Sequence, residues 1–255
     1  VVPCYDEATT VVELLRRVLA SPWVAEVIVV DDGSTDGTRE LLAEVSDPMV
    51  RVILHERNMG KGAALRTGFA AATADYVIVQ DADLEYDPAE YGELMTPLED
   101  GRADVVYGSR FVSSRPHRVL YFWHSLGNRL LTLMSNMFTD LNLTDMETCY
   151  KMVRTELLQS LPLSAKRFGI EPELTARLAQ AHARIYELPI SYNGRSYAEG
   201  KKINWKDGVA ALWYILRSNL VGPRARPWRP SGAAPWESAA GEGGSAGAVG
   251  AAGDA

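Results

Sequence analysis

The sequence predicts an α/β fold in which a mainly parallel central sheet is flanked by helices. Short β-branched runs alternate with segments of helical periodicity, and this rhythm is typical of βαβ units. The 255 residues, 47% of them hydrophobic, are enough to bury one large core or two small ones. Acidic and glycine-rich segments follow several runs, and ligands of such sheets bind beyond the carboxyl ends of the strands. We therefore expect the functional residues in the loops that follow the strands.

The first half contains four apolar runs that predict buried strands, at residues 26–31, 50–54, 75–80 and 103–108. Helical patterns lie around these runs, at residues 9–19, 38–45, 63–72 and 88–98. The chain starts without Met in what looks like a strand, so we expect further residues upstream. The second half predicts a long apolar helix, a second helix, a strand and an amphipathic helix, at residues 119–138, 171–181, 185–192 and 205–220.

Composition and charge exclude several classes of protein. Lys and Arg number 26 against 33 Asp and Glu, so the net charge of −7 predicts no nucleic-acid partner. The longest uncharged apolar run near the carboxyl end, residues 209–216, is far shorter than the ~20 residues of a membrane span, and no secretory signal is visible. Cys4 and Cys149 fit core thiols of a cytoplasmic protein. Residues 222–255, rich in Gly, Ala and Pro, predict a disordered tail.

A pair of carboxylates follows the strand predicted over residues 75–80. Asp81 and Asp83, with Glu85 close behind, can face one hard cation whose shell a diphosphate completes. Mg²⁺ and Mn²⁺ need few protein carboxylates when phosphate and water oxygens are present, so two or three are sufficient. A solvated acidic turn is the alternative interpretation of such a short motif.

The strand predicted over residues 26–31 ends in Asp31 and Asp32, in a segment with some likeness to a calcium-binding loop. Ala43 stands where that loop needs a bidentate Glu, so a calcium site is excluded. The glycines that follow fit a tight turn before a helix. Carboxylates at such a strand end can also bind a ribose or the edge of a base.

Basic residues supply candidate phosphate contacts. Residues 58–62 match neither a P-loop nor a dinucleotide-binding glycine motif, but their backbone N–H groups and Lys61 can approach an anion at a helix start. A simple helix cap is the alternative there. Arg110 follows one predicted strand, and Arg195, Lys201 and Lys202 follow the last one. Arginine at a strand end suits phosphate, whereas a solvated surface charge is the alternative.

Together these segments resemble the family 2 inverting glycosyltransferases of GT-A type, and within them the polyprenyl-phosphate (dolichyl-phosphate) mannosyl- and glucosyltransferases. The matching segments occur in the family's order, at residues 2–7, 29–38, 58–62, 80–85, 108–110, 143–151, 168–173 and 195–202. The resemblance implies a Rossmann-like GT-A domain over residues 1–221. Residues 1–115 would bind the nucleotide-sugar and residues 116–221 the acceptor, with residues 222–255 outside the domain.

The resemblance also assigns roles. It implies a nucleotide pocket formed by seven residues: Pro3, Tyr5, Glu7, Asp31, Asp32, Lys61 and Asp81. It implies Mg²⁺ or Mn²⁺ held by Asp81, Asp83 and Glu85. It implies phosphate contacts from Arg110, Arg195, Lys201 and Lys202, and a catalytic set of Asp83, Arg110 and Asp145. Many relatives carry Asn and Gln where this chain has Asp6 and Glu85.

The implied reaction follows from the acceptor. A monoalkyl phosphate has a second pKa near ~6 and is mostly dianionic at neutral pH, so a polyprenyl phosphate needs no general base. In-line transfer of a hexose from UDP-glucose or GDP-mannose would give a β-linked lipid-phosphate sugar. A hydroxyl acceptor is the alternative and would need a base, for which Asp145 is the candidate. A nucleotide-sugar-binding protein without turnover is a third possibility, which the intact Asp81 and Asp83 disfavour.

The implied lipid acceptor places the protein in the cytoplasm, peripherally at the inner face of the membrane. The segments at residues 119–138 and 205–220 could offer an apolar path, with Trp213 and Tyr214 at the interface. An ordinary core helix is the alternative interpretation of the first segment. Relatives often carry membrane spans after the catalytic domain, where this chain has its Gly- and Ala-rich tail.

Overall fold

The computed structural model describes residues 1–112, 115, 118–119, 121–195 and 205–229. The strands are β1 Val2–Cys4, β2 Val27–Asp31, β3 Val50–Leu54, β4 Tyr76–Ile78, β5 Val105–Ser109, β6 Lys151–Arg154 and β7 Ile185–Pro189. The helices are α1 Val11–Leu19, α2 Thr38–Ala43, α3 Lys61–Ala71, α4 Tyr91–Glu99, α5 Phe122–Thr139, α6 Thr155–Ser160, α7 Ile170–Gln180 and α8 Trp205–Leu220. A single 3₁₀ turn, Pro88–Glu90, precedes α4.

The strands form two sheets that meet edge to edge. The first is parallel in the order β1-β2-β3, and the second has the order β4-β6-β5-β7, in which β6 alone is antiparallel to its neighbours. The Val1 backbone nitrogen donates to the Ile78 carbonyl at 2.9 Å, and the Gln80 N–H donates to the Val1 carbonyl at 3.0 Å. These bonds place β1 beside β4. The arrangement confirms the α/β class with a mainly parallel sheet.

The buried sheet and its helices form the core. Strand β2 is buried along its whole length, and Leu14 of α1 and Leu65 of α3 pack against the sheet with at most 1% exposure. Burial of each such side chain stabilises the fold by about 1.5–3 kcal/mol. Cys4 and Cys149 are both buried cysteines, as the sequence predicts.

Two short elements are absent from the sequence prediction, namely β6 and α6. Strand β6 begins with Lys151 and ends with Arg154, so charged residues interrupt the apolar pattern that marks the other strands. Lys151 is nevertheless fully buried, because Glu171 lies 2.6 Å from its ammonium. The partner is 20 residues away in the sequence, which is why the local pattern does not reveal this strand.

The chain after α8 continues along α7. The Trp228 N–H donates to the Ala181 carbonyl at 2.9 Å, and the Ala225 N–H donates to Gln180 Oε1 at 3.1 Å. The first eight residues of the predicted disordered tail, 222–229, are therefore packed against the domain, and the rest of that tail lies outside the described residues. Within the described ranges, the helices include none with the length and hydropathy needed to cross a membrane.

Candidate active site at the carboxyl ends of the strands

The carboxyl ends of β1, β2 and β4 bring the predicted acidic residues to one edge of the sheet. Strand β1 leads to Glu7, β2 ends at Asp31 and Asp32, and β4 leads to Asp81 and Asp83. Because parallel strands end at the same edge, residues distant in sequence meet there. Pro3 lies within β1, and Tyr5, just after it, keeps 39% of its surface exposed.

Asp31 and Asp32 organise the loops around this edge. Asp31 Oδ1 accepts hydrogen bonds from the Ser34 N–H at 3.2 Å and from Arg39 Nε at 2.6 Å. Asp32 accepts from the Gly60 N–H at 2.6 Å and from the Met59 N–H at 2.9 Å. These bonds fix the turn after β2 and the loop before α3. Contact of either carboxylate with a nucleotide stays a prediction.

Two glycines allow the same loops to come together. Gly33 has φ +83°, and a Cβ there would lie 2.6 Å from the backbone of Asn58. Gly60 has φ +92°, and a Cβ there would lie 2.2 Å from the Lys166 carbonyl oxygen. Both positions therefore need glycine, for backbone conformation and for space.

Lys61 lies between Asp81, which follows β4, and Glu171 of α7. Its ammonium lies 2.8 Å from Asp81 Oδ1 and 3.4 Å from Glu171 Oε1. Burial is the largest effect and disfavours the ammonium, but the charges of Asp81, Cys149 and Glu171, with the hydrogen bond to Asp81, together raise the pKa of Lys61 well above its usual value. Lys61 is thus cationic, at the edge where the sequence predicts an anion contact.

Arg195 lies among three carboxylates. Its Nη2 atom is 3.2 Å from Asp83 Oδ2 and 3.6 Å from Glu7 Oε1, and its Nε atom is 3.6 Å from Glu85 Oε1. Burial, followed by the charge of the neighbouring Asp81, raises the pKa of Asp83 to about 7, which Arg195 partly opposes. The guanidinium is therefore the cation that balances this acidic group.

Glu85 holds the strand extension that carries Arg195. The Tyr192 hydroxyl donates to Glu85 Oε2 at 2.5 Å, and the Arg195 N–H donates to Glu85 Oε1 at 2.7 Å. Both carboxylate oxygens thus have protein partners, and the role of Glu85 as a metal ligand stays a prediction. Sequence reasoning missed this because the partners are more than 100 residues away.

Arg110 and Asp145 form a buried ion pair that the sequence did not reveal, and their catalytic and phosphate-binding roles stay predictions. Arg110 Nε and Nη2 lie 2.6 and 2.8 Å from the two oxygens of Asp145, and the Arg110 N–H donates to the same carboxylate at 3.1 Å. Asn128 Nδ2 donates to it as well, at 3.1 Å. Asp145 has no exposed surface and Arg110 only 8%, so neither is placed as a free base or a free phosphate contact. The pair joins β5 to the segment before β6.

Glu147 is a candidate that the sequence prediction did not include. Burial, followed by the charge of nearby Glu171, raises its pKa to about 7. Within the described part of the chain, Glu147 Oε1 and Thr148 Oγ1 are buried without a hydrogen-bond partner. Buried polar atoms normally have partners, so these two are exceptions to the usual pattern.

The described residues include no group of three His, Cys, Asp or Glu side chains arranged to hold a metal ion. Asp81 and Asp83 remain as a pair of hard oxygen donors, each with part of its side chain exposed. Such a pair fits a cation that takes its other ligands from phosphate and water. Lys201 and Lys202, predicted to bind phosphate, lie outside the described residues.

Comparison with known proteins agrees with this arrangement. The family model described as glycosyl transferase family 2 matches residues 1–161. The chain belongs to glycosyl transferase family 2. The three relatives described next are each similar to it at 29% identity.

The first relative, an undecaprenyl-phosphate mannosyltransferase of Micrococcus luteus, aligns over 86% of this chain and 97% of its own length. The second is the glycosyltransferase AglJ of Haloferax volcanii, and the third is an undecaprenyl-phosphate 4-deoxy-4-formamido-L-arabinose transferase of Proteus mirabilis. They align over 76% and 79% of this chain, which spans only 62% and 61% of their lengths.

Solved structures show the same fold. Glucosyl-3-phosphoglycerate synthase of Mycobacterium tuberculosis, in complex with Mn²⁺, UDP and glucosyl-3-phosphoglycerate, superimposes with a TM-score of 0.67 at 22% identity. The match covers 87% of this chain and 79% of that one. The protein is therefore a glycosyltransferase with the GT-A fold.

Proposed function

We propose that this glycosyltransferase moves a hexose from a nucleotide-diphospho-sugar, UDP-glucose or GDP-mannose, to a polyprenyl phosphate. The observation that carries the proposal is the alignment with the Micrococcus luteus undecaprenyl-phosphate mannosyltransferase over 97% of its length. The geometry supports it, since carboxylates and cations meet at the edge where a sugar donor binds in such sheets.

Asp81 and Asp83 would hold Mg²⁺ or Mn²⁺ together with the diphosphate of the donor. Their hard oxygens suit either ion, and a relative of the same fold was crystallised with Mn²⁺ and UDP. When bound, the ion supplies positive charge that stabilises the leaving nucleoside diphosphate. Lys61 and Arg195 lie next to these carboxylates and would add charge from the protein.

The acceptor sets the remaining chemistry. A dianionic phosphate is already a nucleophile, so the protein needs to orient it behind the anomeric carbon rather than deprotonate it. A single in-line displacement inverts that carbon and gives a β-linked product from an α-linked donor. The pairing of Asp145 with Arg110 fits a reaction without a general base at this position.

Transfer to a hydroxyl is the second candidate, and Glu147 is the observation that favours it. A carboxyl group with a pKa of about 7 suits proton removal at neutral pH. A hydroxyl acceptor would need such a base, whereas a phosphate acceptor would not.

A polyprenyl phosphate resides in a membrane, so we place the protein peripherally at the inner face of the cytoplasmic membrane. The donor nucleotide-sugar is water-soluble and the acceptor chain is apolar, and the reaction therefore takes place where the two meet.

The test offers two acceptors at once. Purified protein receives labelled UDP-glucose or GDP-mannose, Mn²⁺, and a mixture of polyprenyl phosphate and 3-phosphoglycerate. We expect an organic-extractable product, and we expect Glu147→Gln to form it at the rate of the unchanged protein. Label found only in the water-soluble acceptor, with loss of that product in Glu147→Gln, would overturn the phosphate acceptor and establish the hydroxyl.

A further inference from the structure

Helix α5 has the reverse of the usual distribution of polar and apolar side chains. Its buried residues are polar, namely Asn128, Thr132 and Ser135. Asn128 bonds to Asp145, and the Met146 N–H donates to Thr132 Oγ1 at 3.1 Å, so the inner face is committed to the segment before β6. A helix in contact with water usually turns this face outward.

The outer face of α5 is a continuous apolar stripe. Phe122, Leu126, Leu130, Leu133 and Met137 follow each other at three- or four-residue spacing and are 47–69% exposed. The neighbouring residue Trp123 is 78% exposed. Contiguous exposed patches of this kind mark interaction sites.

Helix α8 packs against α5 and adds to this surface. We call the exposed apolar side chains of the two helices the α5–α8 face: Tyr121, Phe122, Trp123, Leu126, Leu130, Leu133, Met137, Val209, Leu212, Trp213 and Leu220. Trp213 is 61% exposed, so each helix presents a tryptophan to its surroundings. Tryptophan side chains are typical of the interface between water and lipid.

Positive charge predominates in the segments that form the α5–α8 face. Residues 110–139 and residues 208–229 contain no Asp or Glu, although the chain has 33 of them, and the nearest acidic residues in sequence are Asp140 after α5 and Asp207 in the first turn of α8. The same two segments contain eight arginines, and most of them are exposed: Arg118, Arg129, Arg224, Arg226 and Arg229. An apolar surface with many cations and few carboxylates is complementary to anionic lipid headgroups.

We propose that the α5–α8 face docks on the surface of an anionic bilayer. This rests on the proposed function, because it supplies the membrane in which the polyprenyl phosphate acceptor resides. A second copy of the chain fits less well, since two such faces would bring arginines of both copies together with few carboxylates to pair with them. Apolar side chains enter the headgroup region and the arginines contact lipid phosphates.

The test measures binding of the whole chain to vesicles. Neutral phosphatidylcholine vesicles are compared with vesicles in which about a third of the lipid is phosphatidylglycerol. We expect binding to the anionic vesicles, weakened by salt, and at least about tenfold weaker binding for Trp123→Ser. Trp23→Ser is the matched control, because Trp23 is 52% exposed but lies outside the face. The control should bind like the unchanged protein.

A second variant keeps the test valid if Trp123→Ser does not fold. Circular dichroism and the unfolding midpoint show whether each variant is folded. Arg129→Gln with Arg226→Gln removes two exposed charges and should weaken binding to the anionic vesicles only. Equal binding to both vesicles, or unchanged binding of Trp123→Ser, would overturn the proposal. A dimer in solution that Trp123→Ser dissociates would assign the face to a second copy instead.

A separate reaction keeps this proposal distinct from the proposed function. The unchanged protein is given a short-chain prenyl phosphate that dissolves without vesicles. Sugar transfer in that reaction with no vesicle binding would leave the function intact and remove the docking. Vesicle binding without transfer to any prenyl phosphate would leave the docking intact and remove the proposed function.

Discussion

The edge of the sheet and the α5–α8 face distribute charge in opposite ways. Six carboxylates gather at the strand ends, whereas residues 110–139, which include α5, contain none. The overall charge of −7 conceals this segregation. The comparison teaches that partner chemistry is a local property of each surface, because a metal–diphosphate needs carboxylates and an anionic bilayer excludes them.

The two regions also differ in which side chains face inward and which face outward. Around the strand ends, carboxylates take hydrogen bonds from backbone N–H groups and turn the loops inward, as Asp32 does with Gly60. On α5, the polar residues face the core and the large apolar side chains face outward. One region is therefore built for a compact anion with a cation, and the other for an extended apolar surface.

The largest expected effect comes from a substitution in the acidic group at the strand ends. Asp83→Asn removes a proposed ligand of the divalent cation, so metal-dependent sugar transfer should fall about 10³-fold, because the charge it positions is worth several kcal/mol. Initial rates with saturating Mn²⁺ measure this. Asp75→Asn is the control, since Asp75 is an exposed residue at the opposite end of the same strand. Equal loss in both variants would contradict the metal assignment.

Asp145→Ala tests whether that carboxylate supports structure rather than chemistry. It leaves the Arg110 guanidinium buried without a partner, so the free energy of unfolding should fall by about 3–5 kcal/mol. Urea unfolding measures the change. Glu13→Ala breaks an exposed ion pair, which water screens, and should change the free energy of unfolding far less. A stable but inactive Asp145→Ala would return Asp145 to the role of a base.

Glu147 gives a pH-dependent prediction. Its pKa is about 7 in the fold, above its ordinary value of 4.5, so the unfolded state holds fewer protons between these values. Its contribution to stability is therefore present below pH 4.5 and is lost as the pH rises through 7, by up to about 3 kcal/mol. Glu147→Gln should remove this loss, raising the unfolding free energy relative to the original protein at pH 8 but not at pH 5. A constant difference would contradict the raised pKa.

The smallest expected effect sharpens the role of Arg195. Its guanidinium balances Glu7, Asp83 and Glu85, so Arg195→Ala should bind Mn²⁺ in the absence of nucleotide about tenfold more tightly. Electron paramagnetic resonance of free Mn²⁺ measures the affinity without any turnover. Arg102→Ala, which removes an exposed charge, is the control. Weaker binding in Arg195→Ala would show that the guanidinium does not compete with the cation.

The sequence predicts the acidic edge well because its signals are local. Asp31 and Asp81 each follow an apolar strand run directly, so fold class and position of the site come from the same pattern. The pairing of Arg110 with Asp145 spans 35 residues, and that of Glu85 with Arg195 spans 110. Such pairs depend on how the elements pack, so the sequence alone does not reveal them.

The orientation of α5 is a second feature beyond sequence reasoning. Helical spacing defines one polar and one apolar face, but it does not say which of them meets the core. In the structure, Asn128 and Thr132 have partners in the segment before β6, and these contacts turn the apolar stripe outward. The absence of acidic residues from residues 110–139, however, is visible in the sequence alone.

Transfer of labelled sugar to polyprenyl phosphate embedded in vesicles tests both regions together. Neutral and anionic vesicles carry equal amounts of acceptor, with Mn²⁺ or with EDTA. We predict an organic-extractable product that EDTA abolishes and that forms faster on anionic vesicles. A rate that is the same on both vesicles and insensitive to EDTA would contradict the assignment of a metal–diphosphate to the strand ends and of an anionic membrane to the α5–α8 face.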